Sequence, residues 1–276
     1  MRFGRAYKYH GLGNDFVLFD SIKTGRLIKP RDAVFICDRH FGVGADGVLT
    51  LLPSKKADFY MHIYNSDGSV AEMCGNGIRC AVKHFVDTHR TKAGILRVET
   101  KKGIQICEYS RKGGEVESVV VNMGSPILEP RDIPVKSRDI QLKIKLGNNT
   151  ISGMAVSMGN PHFVSFGNYS EKDIHKWGPH IEKHHLFPRH TNVELARLIN
   201  RSEILLYVWE RGVGITLACG SGSCATVVAG VKRGLVAPDR FIKVRLLGGD
   251  LYVKYDTGAD VVYMRGTAKR VFGIDF

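Results

Sequence analysis

Short apolar and alternating runs, bounded by Gly, Pro, Asn and Asp, dominate the hydrophobic pattern of this chain and predict more strands than helices. In the first half, DFVLFD (15–20), GVLTLLP (47–53) and DFYMHIYN (58–65) predict strands, and ILRVETKKG (95–103) with IQICEYS (104–110) predicts a hairpin. PRDAVFICDRHF (30–41) predicts a helix, and SDGS (66–69) a turn. The second half repeats that order: AVSMGNPHFVSF (155–166), a helical SEKDIHKWGPHIEKH (170–184), SEILLYVWERG (202–212), then FIKVRLLGG (241–249) with LYVKYD (251–256). Two further stretches, GNGIRCAVKHFVDTH (75–89) and GSGSCATVVAGVKRG (220–234), carry small or apolar residues around much or all of a helix. A helix apolar on every side must be buried, so each half is expected to wrap strands around one central helix.

The two halves also share sequence. CGNGIRCA from Cys74 matches CGSGSCA from Cys219 at an offset of 145, and GNDFVLF from Gly13 matches GNPHFVSF from Gly159 at 146. A weaker echo sets Asn65 in YNSDGS against Glu210 in YVWERGVG, again at 145. Three pairs in one order at nearly constant spacing point to a duplicated unit. The Pro- and Gly-rich NMGSPILEPRDIPVK (122–136) marks the boundary, giving expected domains at 1–125, completed by a last strand at 265–276, and 126–264. The expected class is α+β, two pseudo-symmetric domains, each a mostly antiparallel sheet or barrel around a helix.

Composition narrows the picture. The chain has 276 residues, 43% hydrophobic and 24% charged, enough for one large or two medium cores. Its start, MRFGRAYKYH, has no apolar leader run and no later segment reaches the length of a membrane span, so a soluble, cytoplasmic protein without a membrane partner is expected. The net charge of +13 raises nucleic acid as a partner. The basic residues are scattered, with no recognition helix, zinc finger or aromatic stripe, and no nucleic-acid partner is expected. Six cysteines in so long a chain read as reduced thiols rather than a disulfide scaffold.

Cys74 and Cys219 stand at matching points of the repeat, each before G-x-G and each at the start of a helix. The glycines allow close backbone approach, and the first turn leaves amides without intrahelical partners. Those donors and the helix dipole are expected to lower the thiol pKa and to offer a carboxylate site beside it. A catalytic role is therefore assigned to both. Cys37, Cys80, Cys107 and Cys224 are expected to be small buried hydrophobes. Zinc is not expected, since C-x5-C and C-x4-C are not knuckle spacings.

GLGNDF (11–16), RHFGVGADG (39–47), YNSDGS (64–69), MCGNGIRC (73–80), MGNPHF (158–163), YVWERGVGITLACGSGSCA (207–225) and GGDL (248–251) together resemble the diaminopimelate epimerase family over nearly the whole chain. The resemblance implies an isomerase, independent of pyridoxal or any other cofactor and of metal, that interconverts LL- and meso-2,6-diaminopimelate for lysine and peptidoglycan synthesis. It implies a homodimer, and a site in the cleft between the domains. Inversion by proton transfer needs an acid and a base on opposite faces of the α-carbon, hence two thiols. The resemblance suggests Cys74 as donor and Cys219 as acceptor from LL to meso. Substrate binding falls to Asn14, Asn65, Gly75, Asn76, Asn160, Asn192, Glu210, Arg211, Gly220 and Ser221, with the amides of Gly75, Asn76, Gly220 and Ser221 holding the reacting carboxylate. His162 and Glu210 are expected to tune thiol acidity. Two positions depart from the family: Gly47 where some members carry a substrate-contacting glutamine, and Ile215 where Glu is common. The alternatives are a two-cysteine racemase of the proline or hydroxyproline type and a non-enzymatic thiol-redox or metal-binding protein.

Overall fold

The computed structural model describes residues 4–89, 91 and 94–276, so the first three residues of the amino-terminal stretch lie outside the described residues. In chain order the elements are β1 (Arg5–Gly11), β2 (Asn14–Asp20), α1 (Pro30–Cys37), β3 (Gly47–Leu52), β4 (Phe59–Asn65), α2 (Gly75–His89), β5 (Ile95–Thr100), β6 (Gly103–Lys112) and β7 (Glu115–Gly124). They continue with β8 (Gln141–Leu146), β9 (Asn149–Ser157), β10 (Pro161–Phe166), α3 (Glu171–Glu182), β11 (Asn192–Asn200), β12 (Glu203–Glu210), β13 (Gly214–Ile215), α4 (Gly220–Lys232), β14 (Ile242–Leu246), β15 (Gly249–Asp256), β16 (Val261–Gly266) and β17 (Lys269–Asp275). The chain forms two compact units, residues 1–122 with 265–276, and residues 123–264.

In the first unit β17 pairs antiparallel with β1, and β1 with β2. From there the ladder runs parallel to β3, antiparallel to β4, parallel to β5, then antiparallel to β6 and β7. The second unit repeats the sequence of senses. There β8–β9 and β9–β10 are antiparallel, β10–β11 parallel, β11–β12 antiparallel, β12–β14 parallel and β14–β15 antiparallel. The duplication seen in the residues is thus a duplication of topology, and the protein is an α+β fold with few helices.

Each unit packs its strands on one long helix: α2 against β1, β2, β3, β4 and β17, and α4 against β9, β10, β11 and β15. The helix α4 suits that place because most of its residues are Gly, Ala, Val, Ser or Thr, and its first eleven are almost all buried. By contrast α2 carries Arg79, Lys83 and His84 into the interior, which is tolerable only with partners. Lys83 donates to Asp87 (2.8 Å) and to the Val116 carbonyl (3.2 Å), while His84 lies between Asp20 (3.3 Å) and Tyr9 (3.2 Å). Beside them, α1 packs on β3 and β4, and α3 on β11, β12 and β13.

Three expectations about local structure need correction. The helix predicted over 30–41 stops at Cys37, because the Asp38 carboxylate accepts the N–H groups of His40 and Phe41 (2.8 Å each), turning the chain into a loop. The stretch 155–166 is two strands, since Pro161 cannot donate to a continuing ladder and starts a new one. The strand β11, NVELARLIN, is not among the elements that the pattern predicts, because two polar residues on one face, Asn192 and Glu194, are buried in it. Among the described residues no helix is long and apolar enough to cross a membrane.

Candidate active site

Each of the two repeated cysteines sits at the beginning of its unit's buried helix and uses its sulfur as the cap. The Gly77 N–H donates to Cys74 Sγ at 3.4 Å, and the Gly222 N–H donates to Cys219 Sγ at the same distance. The cap residues' carbonyls accept the first helical bonds, from Ile78 (2.9 Å) and Ser223 (3.0 Å). Glycine at the third helical position lets the thiol fold back over the turn, most strictly at Gly222, where a Cβ would fall 3.2 Å from Cys219 Sγ.

In the first unit Cys74 points at the Asn14 side-chain oxygen (3.7 Å), which also accepts from the Asn76 amide at 3.1 Å. The other end of Asn14 is fixed by a charged network: its amide donates to Asp46 (2.8 Å), Arg39 bridges Asp46 and Asp15 (2.8 and 2.9 Å), and Lys8 pairs with Asp15. Burial alone would raise the Asp15 carboxyl, but hydrogen bonds from Arg39 and Lys8 outweigh it and hold the pKa at about 2. Beneath the cap lies Arg79, fully buried, donating to the Gly75 carbonyl (3.0 Å), the Asn76 side-chain oxygen (2.8 Å) and the Thr267 carbonyl (3.2 Å). Its fork holds the very loop that presents Gly75 and Asn76. Asn65 has the contacts of a turn residue, its amide donating to Ser69 Oγ (2.9 Å) and its carbonyl accepting from Gly68.

Opposite Asn65 in the ladder stands Gly47, and a Cβ there would fall 2.6 Å from the Tyr64 carbonyl. The backbone therefore leaves no room for a side chain at this position. The other departure, Ile215, packs on the second unit's apolar core.

In the second unit a continuous polar chain leads to the sulfur. Cys219 Sγ is 3.7 Å from Ser221 Oγ, which accepts from Asn160 (3.4 Å); the Asn160 oxygen lies 3.0 Å from His162 Nε2; and His162 Nδ1 lies 2.7 Å from Glu194. Glu210 accepts from Thr216 (2.7 Å) and acts on Cys219 through its charge. Asn192 is buried, donating to the Pro161 carbonyl (2.8 Å) and accepting the Arg211 N–H (2.9 Å), so its amide clasps the end of β12 to β10. The Arg211 guanidinium is exposed and donates to the Arg189 carbonyl (3.1 Å).

Electrostatics at Cys219 runs against the expected lowering. Burial pushes the thiol well above its ordinary value, the charges of Glu210 and Glu194 push it further, and the Gly222 N–H and Ser221 only partly offset them. A helix N-terminus by itself would lower the thiol pKa, whereas the tertiary fold adds desolvation and two carboxylates. Cys80 and Cys107 are likewise pushed up by burial, to about 12, and Cys37 to about 11, as befits inert packing thiols. Four residues of these clusters are not among the site residues expected from the sequence: Glu194, and Arg79, Asp46 and Arg39, although the last three lie within motifs that carry the resemblance. What singles each out is a contact made in space, Glu194 to His162, Arg79 to Thr267, and Asp46 to Asn14 and Arg39. Among the described residues, no three His, Cys, Asp or Glu side chains are grouped to hold a metal ion.

The family profile described as diaminopimelate epimerase matches residues 6–129 and 154–271. Relatives named diaminopimelate epimerase include those of Pelotomaculum thermopropionicum (46% identical, covering 98% of this chain and 97% of the relative) and Acetivibrio thermocellus (42%; 97% and 96%). One from Methanococcus maripaludis is 44% identical, covering 96% of each chain. Among solved structures, a hydroxyproline epimerase from Agrobacterium vitis superposes with a TM-score of 0.72 at 14% identity, covering 99% of this chain and 93% of that one. A PhzF-family phenazine biosynthesis protein from Bacillus anthracis gives 0.71 at 15%, covering 100% and 99%. The fold is thus shared with several chemistries, but full-length identity above 40% and the profile match narrow the kinship to one: this chain belongs to the diaminopimelate epimerase family.

Proposed function

We propose that the protein interconverts LL- and meso-2,6-diaminopimelate by proton transfer between the α-carbon and two thiols, Cys74 and Cys219, acting on opposite faces. The observation that carries this reading is the repeated sulfur cap, Gly77 N–H to Cys74 and Gly222 N–H to Cys219, each at 3.4 Å. It puts a thiol beside first-turn helix amides twice in one chain, the pairing of acid/base and carboxylate cradle that inversion next to a carboxylate demands. The amides of Gly75, Asn76, Gly220 and Ser221 hold the reacting carboxylate, while Asn14, Asn65, Asn160, Asn192, Glu210 and Arg211 serve the amino and distal groups. Cys74 donates and Cys219 accepts in the LL-to-meso direction. The high pKa of Cys219 fits this if substrate itself triggers ionisation: an ammonium bound at Glu210 cancels one of the two carboxylate charges that favour the thiol. No cofactor is needed, the carbanion-like transition state being met by oriented amides in a site without water. The enzyme works as a cytoplasmic homodimer in lysine and peptidoglycan precursor synthesis.

The test is incorporation of solvent deuterium at the α-position of LL-diaminopimelate by purified protein without pyridoxal or metal, with trans-4-hydroxyproline as the competing substrate. Cys74→Ala and Cys219→Ala each lose about 10²-fold or more of turnover. Retained turnover in either variant, or preference for hydroxyproline, overturns the proposal.

A further inference from the structure

The duplication provides an internal control for the surroundings of Cys219. Gly77 and Gly222 occupy the same place in the two repeats, and the residues packed on them are equivalent in register: Leu18 pairs with Leu49 in β2–β3, and Val164 with Glu194 in β10–β11. Leu49 is thus the counterpart of Glu194, and Phe16 the counterpart of His162. A Cβ on Gly77 would meet Leu49 Cδ2, Cys74 Cβ and Phe16 Cζ, whereas a Cβ on Gly222 would meet Glu194 Oε1 and Cys219 Sγ. One fold therefore supports its cysteine turn with an apolar pair in the first unit and with an ionisable pair in the second. Packing does not require the ions.

The ionisable pair is also costly. Both side chains are 0% exposed, and Glu194 Oε2 finds no hydrogen-bond partner among the described residues. Such a group is retained against a desolvation penalty that the Leu–Phe solution avoids. What it supplies is proton placement. His162 Nε2 faces the Asn160 oxygen (3.0 Å) and so carries hydrogen, while Nδ1 faces Glu194 (2.7 Å), and one further proton lies between them. Held between Glu194 and Asn160, the imidazole is fixed in orientation.

We propose that Glu194 is a positioning residue for proton exchange at Cys219: by holding His162 Nδ1 it fixes the hydrogen on Nε2 and aligns the chain His162–Asn160–Ser221 that ends at the sulfur. This rests on the reading of Cys219 as one of the two acid/base thiols. The test compares wild type with Glu194→Gln, which keeps shape and a hydrogen bond but not the shared proton, and with Glu194→Leu, which installs the first unit's own residue. Both fold, by thermal melting, and both lose kcat with KM for diaminopimelate changed less than about twofold. The loss is about 10-fold or more, and is smaller in Glu194→Gln. Imidazole ¹⁵N NMR reads the pair without substrate: His162 Nδ1 shares a proton in wild type and becomes a bare acceptor or loses its partner in the variants. Unchanged kcat in folded Glu194→Leu, or an unchanged His162 spectrum in Glu194→Gln, overturns the proposal. Wild type failing to exchange the α-proton would instead sink the functional reading, with the NMR comparison still deciding the role of Glu194 toward His162.

Discussion

Replacing Gly222 or Gly77 by alanine adds the same atom at the same helical position and should have opposite consequences. At either site the helix gains at most about 1 kcal/mol from the removal of glycine's backbone freedom. At Gly77 the new methyl meets Leu49 Cδ2 at 3.3 Å, Cys74 Cβ at 3.4 Å and Phe16 Cζ at 3.6 Å, and the leucine methyl can yield by a few tenths of an ångström. At Gly222 it lands 2.6 Å from Glu194 Oε1 and 3.2 Å from Cys219 Sγ. Glu194 cannot retreat, being fully buried and held by His162 at 2.7 Å. Overpacking of this kind costs about 1–3 kcal/mol. Gly77→Ala should therefore be as stable as wild type or slightly more so, and Gly222→Ala less stable by up to about 2 kcal/mol. For a chain of this size that is a fall in Tm of roughly 4–8 °C, from about 2–4 °C per kcal/mol. Because the displaced atoms include Sγ and its N–H donor, turnover of Gly222→Ala should drop by about 10²-fold, the cost of a misplacement near 1 Å. Urea unfolding and the deuterium-exchange assay, run on both variants, check the pair of outcomes. Equal stability and equal turnover in the two would refute the claim that Glu194 is rigidly seated under the Cys219 turn.

Two further outcomes probe the first unit. Burial would raise the Asp20 carboxyl, but hydrogen bonds from His84 and His89 (3.3 and 2.7 Å) outweigh it and hold it below the ordinary carboxylate range. A folded-state pKa below the unfolded value means that this stabilisation is present above about pH 4 and is lost as pH falls further. Asp20→Asn should be about 1.5–3 kcal/mol less stable than wild type at pH 6, with the gap closing below about pH 4; a gap independent of pH in denaturant titrations would contradict the assignment. Arg79→Lys keeps the charge but loses the fork that serves Gly75, Asn76 and Thr267. Buried acceptors left without donors should cost about 2 kcal/mol or more, read by urea unfolding, and a lysine variant as stable as wild type would show that charge alone suffices there.

Along the chain itself, residues carried the duplication, the preponderance of strands, and the two cysteines seated where glycines let a helix begin. Those features rest on local rules: the spacing of apolar positions, the freedom of glycine and the geometry of a first helical turn all act within a few residues. Even local rules met competition, as where the Asp38 carboxylate ended α1 four residues before the predicted stop. Tertiary structure decided the rest. Glu194 reaches His162 only because β10 and β11 run parallel with Val164 beside Glu194, and Asp46 reaches Asn14 only across a sequence separation of 32. Burial likewise decided the acidity of Cys219, reversing the sign that the helix dipole alone suggests. Desolvation and long-range charge depend on what surrounds an atom in space, and one-dimensional spacing holds no record of that until the sheets have closed around their helices.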